Sequence, residues 1–271
     1  MKINVLGFGV MGRQISSLLQ ALGHEVFVWN RAFCEDRKLS YEKQLKSLTR
    51  CLSLQTISGS VTYTNQISDL KPQMTIEVLI EELEIKKKIL SLLPYSASDV
   101  ELFTNTSSYS PGEIHASAVG LHFFNPIQRI KFVELTRNPA ELSGNAQELI
   151  GQIQSLGYDI IQTSENRGYL GNQILFREIS NVLKLVDFYG YKSHTIDKVL
   201  SHTGRAVSLF DVIDLVGVFV VKRIIENIKE IDPSVYMSPL LDTAIKNNIL
   251  GKKNNTSIRE VIDVEKCAER V

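Results

Sequence analysis

Residues 2–31 read KINVLGFGVMGRQISSLLQALGHEVFVWNR, and this stretch decides the fold of the first part of the chain. A short apolar run at residues 3–6 leads into three glycines spaced G-x-G-x-x-G. Isoleucine and leucine then recur at helical spacing until Gly23, and a second apolar run covers residues 25–29. A strand, a glycine turn, a helix and a strand in this order predict the first unit of an open parallel sheet.

The glycine turn is typical of a loop that binds a dinucleotide. Gly7 permits a tight turn, Gly9 lets the backbone approach a pyrophosphate, and Gly12 lets the helix pack on the strand. The N-terminus of the helix then directs its free N–H groups at the phosphates. The predicted contact residues of the loop are Gly7, Phe8, Gly9, Val10, Met11 and Gly12.

The elements beyond residue 31 extend this sheet. The pattern predicts strands at 61–63, 74–80, 101–111 (ending in a polar loop), 120–124 and 159–162, and helices at 33–55, 81–93 and 140–156. From residue 172 onward the periodicity is helical. The predicted fold class is α/β, with a Rossmann-type doubly wound parallel sheet domain at 1–164 and an all-helical C-terminal domain at 165–271.

Composition excludes several classes of protein. The 271 residues carry 30 basic and 30 acidic side chains, so the formal net charge is zero. A nucleic-acid-binding protein needs a basic surplus or stripe to neutralise phosphates. The apolar stretch at 209–225 contains Asp211 and Asp214 and is too short and too charged to span a membrane. The sequence begins with an apolar strand instead of a secretory leader, so we expect a cytoplasmic protein.

Cysteine and histidine usage indicates neither a disulfide framework nor a metal site. Cys34, Cys51 and Cys267 are odd in number, scattered, and not paired as C-x-x-C. We interpret them as reduced thiols of a cytoplasmic protein. The five histidines lie too far apart for the spacing of metal ligands, so no metal is predicted.

Six blocks of the sequence resemble the 3-hydroxyacyl-CoA dehydrogenase family, in that family's order and along nearly the whole chain. The blocks are GFGVMGRQI, EVLIEELEIKKKIL, FTNTSS, GLHFFNP with a following VEL, NQILFREISNVLKLVD and LFDVIDLVG. HFFNP with a glutamate twelve residues after its histidine, behind NTSS, is far more specific than a glycine motif. The resemblance implies a nicotinamide-dependent dehydrogenase whose second domain is similar to the 6-phosphogluconate dehydrogenase-like C-terminal domains.

The resemblance also implies roles at matching positions. His122 would be the general base that takes the hydroxyl proton as a hydride leaves, or the acid in the reverse reduction. Glu134 would accept a hydrogen bond from the other imidazole nitrogen and stabilise the imidazolium, and apolar neighbours would strengthen that pairing. Ser107 and Asn172 would bind the substrate oxygen, Asn172 from the helical domain. The positions that match cofactor contacts are Glu81, Lys86, Asn125 and Lys253.

Each of these residues also has a purely structural interpretation. A buried histidine is usually a satisfied core residue, Glu134 could end a strand toward solvent, and Ser107 could cap a helix. Asn172 could open the next helix, and Lys86, four residues after Glu82, could belong to a solvated helix face. The catalytic interpretation is favoured because all four candidates occur together and in order.

The end of the second predicted strand departs from the family. The sequence reads VWNR where the family usually has an acidic residue that binds the adenosine ribose hydroxyls. Asn30 has no charge to repel a 2′-phosphate, and the Arg31 guanidinium could bind one. The pair therefore favours NADP(H) over NAD(H). In the alternative, Asn30 bonds a ribose hydroxyl of NAD and Arg31 faces water.

The regions for the acyl group and its carrier depart as well. The helical insertion after residue 31, which helps to hold CoA in the family, is shorter here. Lys43, Lys46 and Arg50 share a helical face and could meet CoA phosphates or the acidic surface of an acyl carrier protein. Further on, GRAVSLFDVIDLVG replaces a G-x-P-M-G-P-F pattern, NNTSIREV replaces an aromatic tail, and Arg-Gly-Tyr at 167–169 replaces a Pro-Gly-Phe-like turn.

The sequence therefore predicts an oxidoreductase of fatty acid metabolism that interconverts a 3-hydroxyacyl-CoA thioester and its 3-keto form with NAD or NADP. The resemblance also implies a homodimer, formed through the apolar helices of the second domain. Two alternatives stay open. One is a dehydrogenase of a carrier-protein-bound or small free hydroxy acid in specialised metabolism. The other is a dinucleotide-binding protein that does not catalyse, which the four catalytic candidates together argue against.

Overall fold

The computed structural model describes residues 1–53 and 57–264, and the chain divides into two compact units. The first unit is Met1–Tyr169 and the second is Leu170–Val271. The boundary that the sequence predicts, between residues 164 and 165, stays a prediction. Cys267 and the last residues of the helix predicted at 33–55 lie outside the described residues.

The first unit alternates strands and helices. Its elements are β1 (Lys2–Leu6), α1 (Val10–Ala21), β2 (Glu25–Trp29), α2 (Glu35–Cys51), β3 (Ser60–Thr64), β4 (Met74–Glu77), α3 (Leu83–Ser91), β5 (Leu102–Thr104), α4 (Pro111–Ile114), β6 (Val119–Phe123), β7 (Phe132–Leu135), α5 (Gly144–Ser155) and β8 (Asp159–Gln162). The second unit is helical in its described part. Its helices are α6 (Tyr169–Tyr189), whose first residue closes the first unit, α7 (Ser193–His202), α8 (Leu209–Val216), α9 (Val218–Ile231), α10 (Pro239–Lys246) and α11 (Arg259–Ile262).

The eight strands form one sheet in the order β3-β2-β1-β4-β5-β6-β7-β8. Neighbouring strands are parallel except β6 and β7, which are antiparallel. The mostly parallel sheet with flanking helices, followed by a helical unit, confirms the predicted fold class. The sequence pattern did not predict β7, which lies between β6 and β8 in the sheet and is defined by its pairing with both.

The sheet is built around strands that are buried on both faces. Ile3, Val5 and Leu6 of β1 are completely buried, as are Ile15 and Leu18 of α1, which packs on the sheet. Burying each side chain of this size stabilises the fold by roughly 1.5–3 kcal/mol. The carboxyl ends of the central strands are therefore held firmly, and ligands of open α/β sheets bind at those ends.

β4 is shorter than the sequence pattern predicts. It ends at Glu77, whereas the apolar run continues to residue 80. The Glu77 carboxylate accepts the N–H of Leu79 at 2.6 Å, which turns the chain away from the strand direction. A buried charge therefore ends a strand that hydrophobicity alone would extend.

The second unit has a separate apolar core. Phe210, Ile213, Val221 and Ile225 are completely buried within it. Arg259 of α11 donates to Asp197 at 2.6 Å and to Asp211 at 2.7 Å, which ties the last described helix to α7 and α8. Among the described residues, no helix combines the length and hydrophobicity that a membrane crossing requires.

An ion pair fixes the turn that ends the first unit. Arg167 Nε donates to Glu113 Oε2 at 2.8 Å, and its Nη2 donates to the other carboxylate oxygen. Glu113 also accepts the backbone N–H of Ser110 at 2.9 Å and so caps α4. The hydrogen bond from Arg167, with those from Ser110, outweighs burial and lowers the pKa of Glu113 from 4.5 to about 2.

Replacing Glu113 with glutamine should weaken the fold near neutral pH but not in strong acid. A carboxylate whose pKa falls on folding contributes stability above its unfolded pKa and loses it as the pH falls through the folded value. The free energy of unfolding of the wild type should therefore exceed that of Glu113→Gln by about 1–2 kcal/mol near pH 7. The difference should vanish between about pH 4.5 and 2. Urea unfolding followed by circular dichroism measures it, with Glu42→Gln, an exposed position on α2, as the control. A difference that persists at pH 2 would mean that the Glu113 charge is not its source.

Candidate active site

Two adjacent strands place His122 and Glu134 side by side. The antiparallel register of β6 and β7 sets the two residues directly opposite each other. The imidazole Nδ1 lies 2.7 Å from Glu134 Oε2, and the two residues are only 4% and 1% exposed. An ionised carboxylate can only accept, so Nδ1 carries the proton and Nε2 keeps a lone pair. The arrangement can take up a proton at Nε2 and return it.

Aromatic rings surround this imidazole. The centroid of the Phe124 ring lies 4.5 Å from that of His122 at an interplanar angle of 59°, and the Tyr169 ring stacks on His122 at 4.9 Å and 12°. A water-poor surrounding strengthens the electrostatic interaction of the pair. Tyr169 was not predicted as a site residue, although an aromatic residue three positions before Asn172, as in the Pro-Gly-Phe-like turn of the family, was an available signal.

Ser107 lies in a loop that Glu81 holds by three hydrogen bonds. Glu81 Oε1 accepts the Thr106 hydroxyl at 2.6 Å and the backbone N–H groups of Ser107 and Ser108, each at 2.8 Å. The loop follows β5 at the carboxyl end of the sheet. The Glu81 carboxylate thus fixes the backbone at Ser107. Ser107 does not cap α4, because the N-cap of that helix is Ser110.

Lys86 is buried beneath this loop between two carboxylates. Its side chain is 1% exposed, and its Nζ lies 2.7 Å from Glu77 and 3.1 Å from Glu81. The alternative interpretation, in which Lys86 belongs to a solvated helix face, is therefore wrong, and its match to a cofactor contact stays a prediction. Glu77 is completely buried and also accepts the hydroxyl of Thr104 at 2.6 Å. Glu77 and Thr104 were not predicted as part of the site, although a glutamate within a buried strand was an available signal.

Charge compensation decides the ionisation of this group. Burial alone would lower the pKa of Lys86, but Glu77 and Glu81 outweigh it and the pKa is raised. Burial alone would raise the pKa of Glu81, but Lys86 and the hydrogen bonds from Thr106 and Ser107 outweigh it and the pKa is lowered. The lysine and Glu81 are therefore both charged near neutral pH.

The glycine loop has the shape that a pyrophosphate requires. Gly7 has φ +115°, and a Cβ on it would meet the carbonyl oxygen of Val78 at 2.4 Å. A Cβ on Gly9 would meet no atom within 4 Å, so the backbone there is open to a ligand. α1 begins at Val10, and no described side chain caps its N-terminus. Its first N–H groups therefore suit an anion, and the residues fit a dinucleotide.

The other predicted loop residues differ in exposure. The Phe8 side chain is completely buried, with its ring centroid 5.5 Å from Phe33 and 5.2 Å from Tyr63, so only its backbone can meet a ligand. Val10 is 49% exposed. Met11 is partly buried. The Phe8 ring supports the loop from below.

Asn30 is bound to the loop itself. Its Oδ1 accepts the N–H of Phe8 at 3.3 Å, and its Nδ2 donates to the carbonyl oxygen of Ala32. Arg31, the next residue, is exposed. The amide is therefore used to fix the chain after β2, and the neighbouring guanidinium is accessible to a ligand.

Gln14 connects α1 with the segment that follows β6. Its Nε2 donates to Asn125 Oδ1 at 2.8 Å, and its Oε1 accepts the N–H of Ile127 at 2.9 Å. Asn125 is exposed and forms a cis peptide bond with Pro126. The structure thus places the predicted cofactor contact Asn125 beside the helix that begins at the glycine loop.

The remaining predicted site residues belong to the second unit. Asn172 lies in the first turn of α6 and is buried. Lys253 is exposed in a short 3-10 turn, Lys252–Asn254. Within residues 1–53 and 57–264, no group of three His, Cys, Asp or Glu side chains could hold a metal ion.

Two family models match nearly the whole chain. The model described as 3-hydroxyacyl-CoA dehydrogenase, NAD binding domain, matches residues 2–165. The model described as 3-hydroxyacyl-CoA dehydrogenase, C-terminal domain, matches residues 168–260. The first of these alone covers more than half of the sequence.

Similar proteins have related names. A mitochondrial hydroxyacyl-coenzyme A dehydrogenase of Mus musculus is 24% identical over 284 residues, which cover 93% of this chain and 88% of the relative. A 3-hydroxybutyryl-CoA dehydrogenase of Clostridioides difficile is 27% identical over 278 residues, which cover 93% and 96%. The crystal structure of (S)-3-hydroxybutyryl-CoA dehydrogenase PaaH1 from Ralstonia eutropha has the same fold, with a TM-score of 0.77, 20% identity, and coverage of 95% and 97%.

Replacing Lys86 with methionine should destabilise the first unit strongly. The variant leaves two buried carboxylates without a counter-charge, which typically costs about 3–5 kcal/mol. Thermal and urea unfolding measure the loss. Lys87→Met is the matched control, because Lys87 is the next residue on α3 and is exposed. Equal stability of the two variants would show that Lys86 does not compensate Glu77 and Glu81.

Proposed function

Since the chain belongs to the 3-hydroxyacyl-CoA dehydrogenase family, we propose that it interconverts a 3-hydroxyacyl-CoA thioester and its 3-ketoacyl form by hydride exchange with a nicotinamide cofactor. The observation that carries the proposal is the buried contact of 2.7 Å between His122 and Glu134. The names of the mouse and clostridial relatives support the reaction class and a CoA thioester.

The imidazole does the proton chemistry of this reaction. In oxidation, His122 Nε2 takes the proton of the 3-hydroxyl group while the hydride leaves C3, and the imidazolium forms beside the Glu134 carboxylate. In reduction, the same nitrogen returns the proton to the carbonyl oxygen. A bound nicotinamide dinucleotide supplies the acceptor or donor of the hydride. Because the aromatic neighbours exclude water, the electrostatic attraction between the imidazolium and the carboxylate stays strong.

The resemblance to the family supports further proposed roles. Ser107 and Asn172 bind the substrate oxygen or the thioester carbonyl, and the network under Ser107 supports this by fixing its loop. Asn125 and Lys253 contact the cofactor together with the glycine loop. Glu81 has two proposed roles: it holds the serine loop, and its partly exposed carboxylate contacts the cofactor. Lys86 acts through Glu81, because its ammonium group is buried.

Of NAD(H) and NADP(H), both of which the family resemblance permits, we propose NADP(H) as the preferred cofactor. The position directly after β2 carries no carboxylate that would repel a 2′-phosphate, since Asn30 stands there and bonds to Phe8 and Ala32. The exposed guanidinium of Arg31 suits a phosphate dianion. The family model is described as an NAD binding domain, so a direct comparison of the two cofactors decides the assignment.

A basic face on α2 suits the phosphates of CoA. Lys43, Lys46 and Arg50 line a cavity of about 330 Å³ together with Ser47 and Cys51. Three cations around one cavity favour a phosphorylated ligand. An acyl carrier protein is the second candidate for this face, and comparing CoA and carrier-protein thioesters at equal concentration separates them.

We also propose that the chain forms a homodimer in the cytoplasm. The second unit exposes large apolar side chains, including Phe188 at 66%, Tyr189 at 70% and Phe219 at 60%. Exposed apolar groups in such number are typical of an interface. The free, exposed thiols of Cys34 and Cys51 are in keeping with a reducing compartment.

The decisive test is the oxidation of NADPH and NADH by the purified protein with acetoacetyl-CoA. The wild type should turn over, and His122→Ala should lower kcat by about 10²–10⁴-fold, because it removes the general acid–base. Cofactor affinity, measured by fluorescence titration, should stay nearly unchanged in that variant. His194→Ala, an exposed histidine on α7, is the matched control.

Two outcomes would contradict this assignment. Full activity of His122→Ala would show that His122 is not the general acid–base of the reaction. No turnover by the wild type, with cofactor binding intact, would exclude the CoA substrate and direct the test to carrier-protein and free hydroxy acid substrates. Failure with all of these would leave a protein that binds a dinucleotide without catalysis.

Arg31→Ala should weaken the binding of NADPH much more than the binding of NADH. Loss of a guanidinium that binds the 2′-phosphate should raise KM for NADPH about ten- to a hundredfold and leave KM for NADH within about twofold. Steady-state kinetics with both cofactors provide the measurement. Lys71→Ala removes an exposed cation before β4 and serves as the control. An equal effect on both cofactors, or none, would exclude Arg31 as the phosphate ligand.

A further inference from the structure

Tyr169 covers one face of the catalytic imidazole. The two rings are nearly parallel, with centroids 4.9 Å apart and an interplanar angle of 12°. Tyr169 is 1% exposed and His122 4%, so the contact is shielded from water. Phe124 contacts the same imidazole at a tilt of 59° and does not stack on it. The tyrosine is therefore the aromatic ring whose face the imidazole meets.

Unusual backbone geometry holds this ring in place. Tyr169 has φ +42°, a left-handed conformation that costs a non-glycine residue roughly 1–2 kcal/mol, and it follows Gly168 at φ +77°. Its N–H donates to the carbonyl oxygen of Asn166 at 3.2 Å. The ion pair between Arg167 and Glu113 fixes the same turn. The fold thus uses a strained turn to bring this ring to His122.

The sheet leaves room for the ring at one glycine. Gly120 lies two residues before His122 on β6, and a Cβ built on it would meet the Tyr169 hydroxyl at 2.6 Å and Tyr169 Cε1 at 2.7 Å. Any other residue at position 120 would displace the ring. The glycine at position 120 and the turn before Tyr169 therefore both favour placement of the aromatic ring over β6.

The hydroxyl group does not explain this placement. Tyr169 Oη is buried and has no hydrogen-bond partner in the described structure. Burial, followed by the charges of Glu81, Glu134, Glu77 and Glu165, raises the pKa of the phenol, so it stays neutral. A buried hydroxyl without a partner stabilises nothing. The ring face is the part of the side chain that contacts His122.

We propose that Tyr169 is a positioning residue of the acid–base pair: its ring face holds the plane of the imidazole and stabilises the imidazolium form of His122. The face of an aromatic ring is the negative end of its quadrupole and attracts a cation that lies over it. Tyr169 thereby sets the pH range in which the pair exchanges its proton. This inference rests on the proposed function of His122.

The other charged groups around the pair belong to residues that a change of Tyr169 leaves in place. Glu134 of β7 bonds to the imidazole directly. Glu77 of β4 and Glu81 after it are compensated by Lys86 of α3. Glu165 lies in the segment before the turn. A shift in the titration of His122 on replacing Tyr169 therefore reports the ring.

Two variants separate the ring from its hydroxyl. Tyr169→Phe keeps the face and removes only the unpartnered group, so it should be at least as stable as the wild type. Tyr169→Leu removes the face and leaves a smaller apolar side chain. The imidazole of His122 is titrated by NMR of histidine-labelled protein without substrate, and its resonance is identified by its loss in His122→Gln. The pH dependence of kcat/KM for oxidation of 3-hydroxybutyryl-CoA is the second readout.

Tyr169→Phe should titrate like the wild type, and Tyr169→Leu should titrate about 0.5–1.5 pH units lower in both readouts. Loss of the face destabilises the imidazolium, so the neutral base persists to lower pH. Equal midpoints for Tyr169→Leu and Tyr169→Phe would overturn the proposal, whether both shift or neither does. Without turnover by the wild type, the NMR titration still decides the role of the ring while the dehydrogenase assignment fails. If Tyr169→Leu does not fold by circular dichroism, Tyr169→Met gives the same comparison.

Discussion

One buried ammonium group holds the centre of the first unit together. Lys86 Nζ lies 2.7 Å from Glu77 and 3.1 Å from Glu81, and moving such charges out of water costs several kcal/mol per ion. The arrangement is stable because both carboxylates also accept hydrogen bonds from the chain, Glu77 from Thr104 and Leu79, and Glu81 from the serine loop. The end of β4, the course of the loop after β5 and the place of Ser107 all follow from this compensation.

The histidine–glutamate pair depends on a second constraint, the reversal of strand direction between β6 and β7. Residues that oppose each other across an antiparallel pair have their Cβ atoms about 4.5–5.5 Å apart, on the same face. The register His122 opposite Glu134 therefore brings the imidazole and the carboxylate into contact without help from a loop. A slip of one residue would turn Glu134 to the opposite face of the sheet.

The features that the sequence predicts are those that depend on neighbours in the chain. The glycine loop, α1 and the helical second unit follow from local periodicity, and His122 and Glu134 from a resemblance whose spacing matches the strand register. The burial of Lys86 could not be predicted in this way. Its i,i+4 relation to Glu82 is typical of a solvated face, and its burial depends on Glu77, which lies on a strand.

Phe8 shows the same limit at the glycine loop. Its position within G-x-G-x-x-G says only that its backbone approaches a ligand, whereas the fate of its ring depends on Phe33, Tyr41 and Tyr63. Those residues come from α2, β3 and the loop between β2 and α2, and nothing in the local pattern reveals that they meet. The strand β7 was missed because its pairing with β6 and β8, and not its own four residues, defines it.

The side chain of Gln14 gives the first unit a thermodynamic link between two surfaces. One amide group bonds both Asn125 and Ile127, so a single side chain joins the helix behind the glycine loop to the segment that follows His122. Any free energy by which an anion at the helix favours one arrangement of that segment must equal the free energy by which the arrangement favours the anion. Under the proposed function, any effect of a bound dinucleotide on the affinity for the acyl substrate through this link equals the effect of the substrate on the affinity for the dinucleotide.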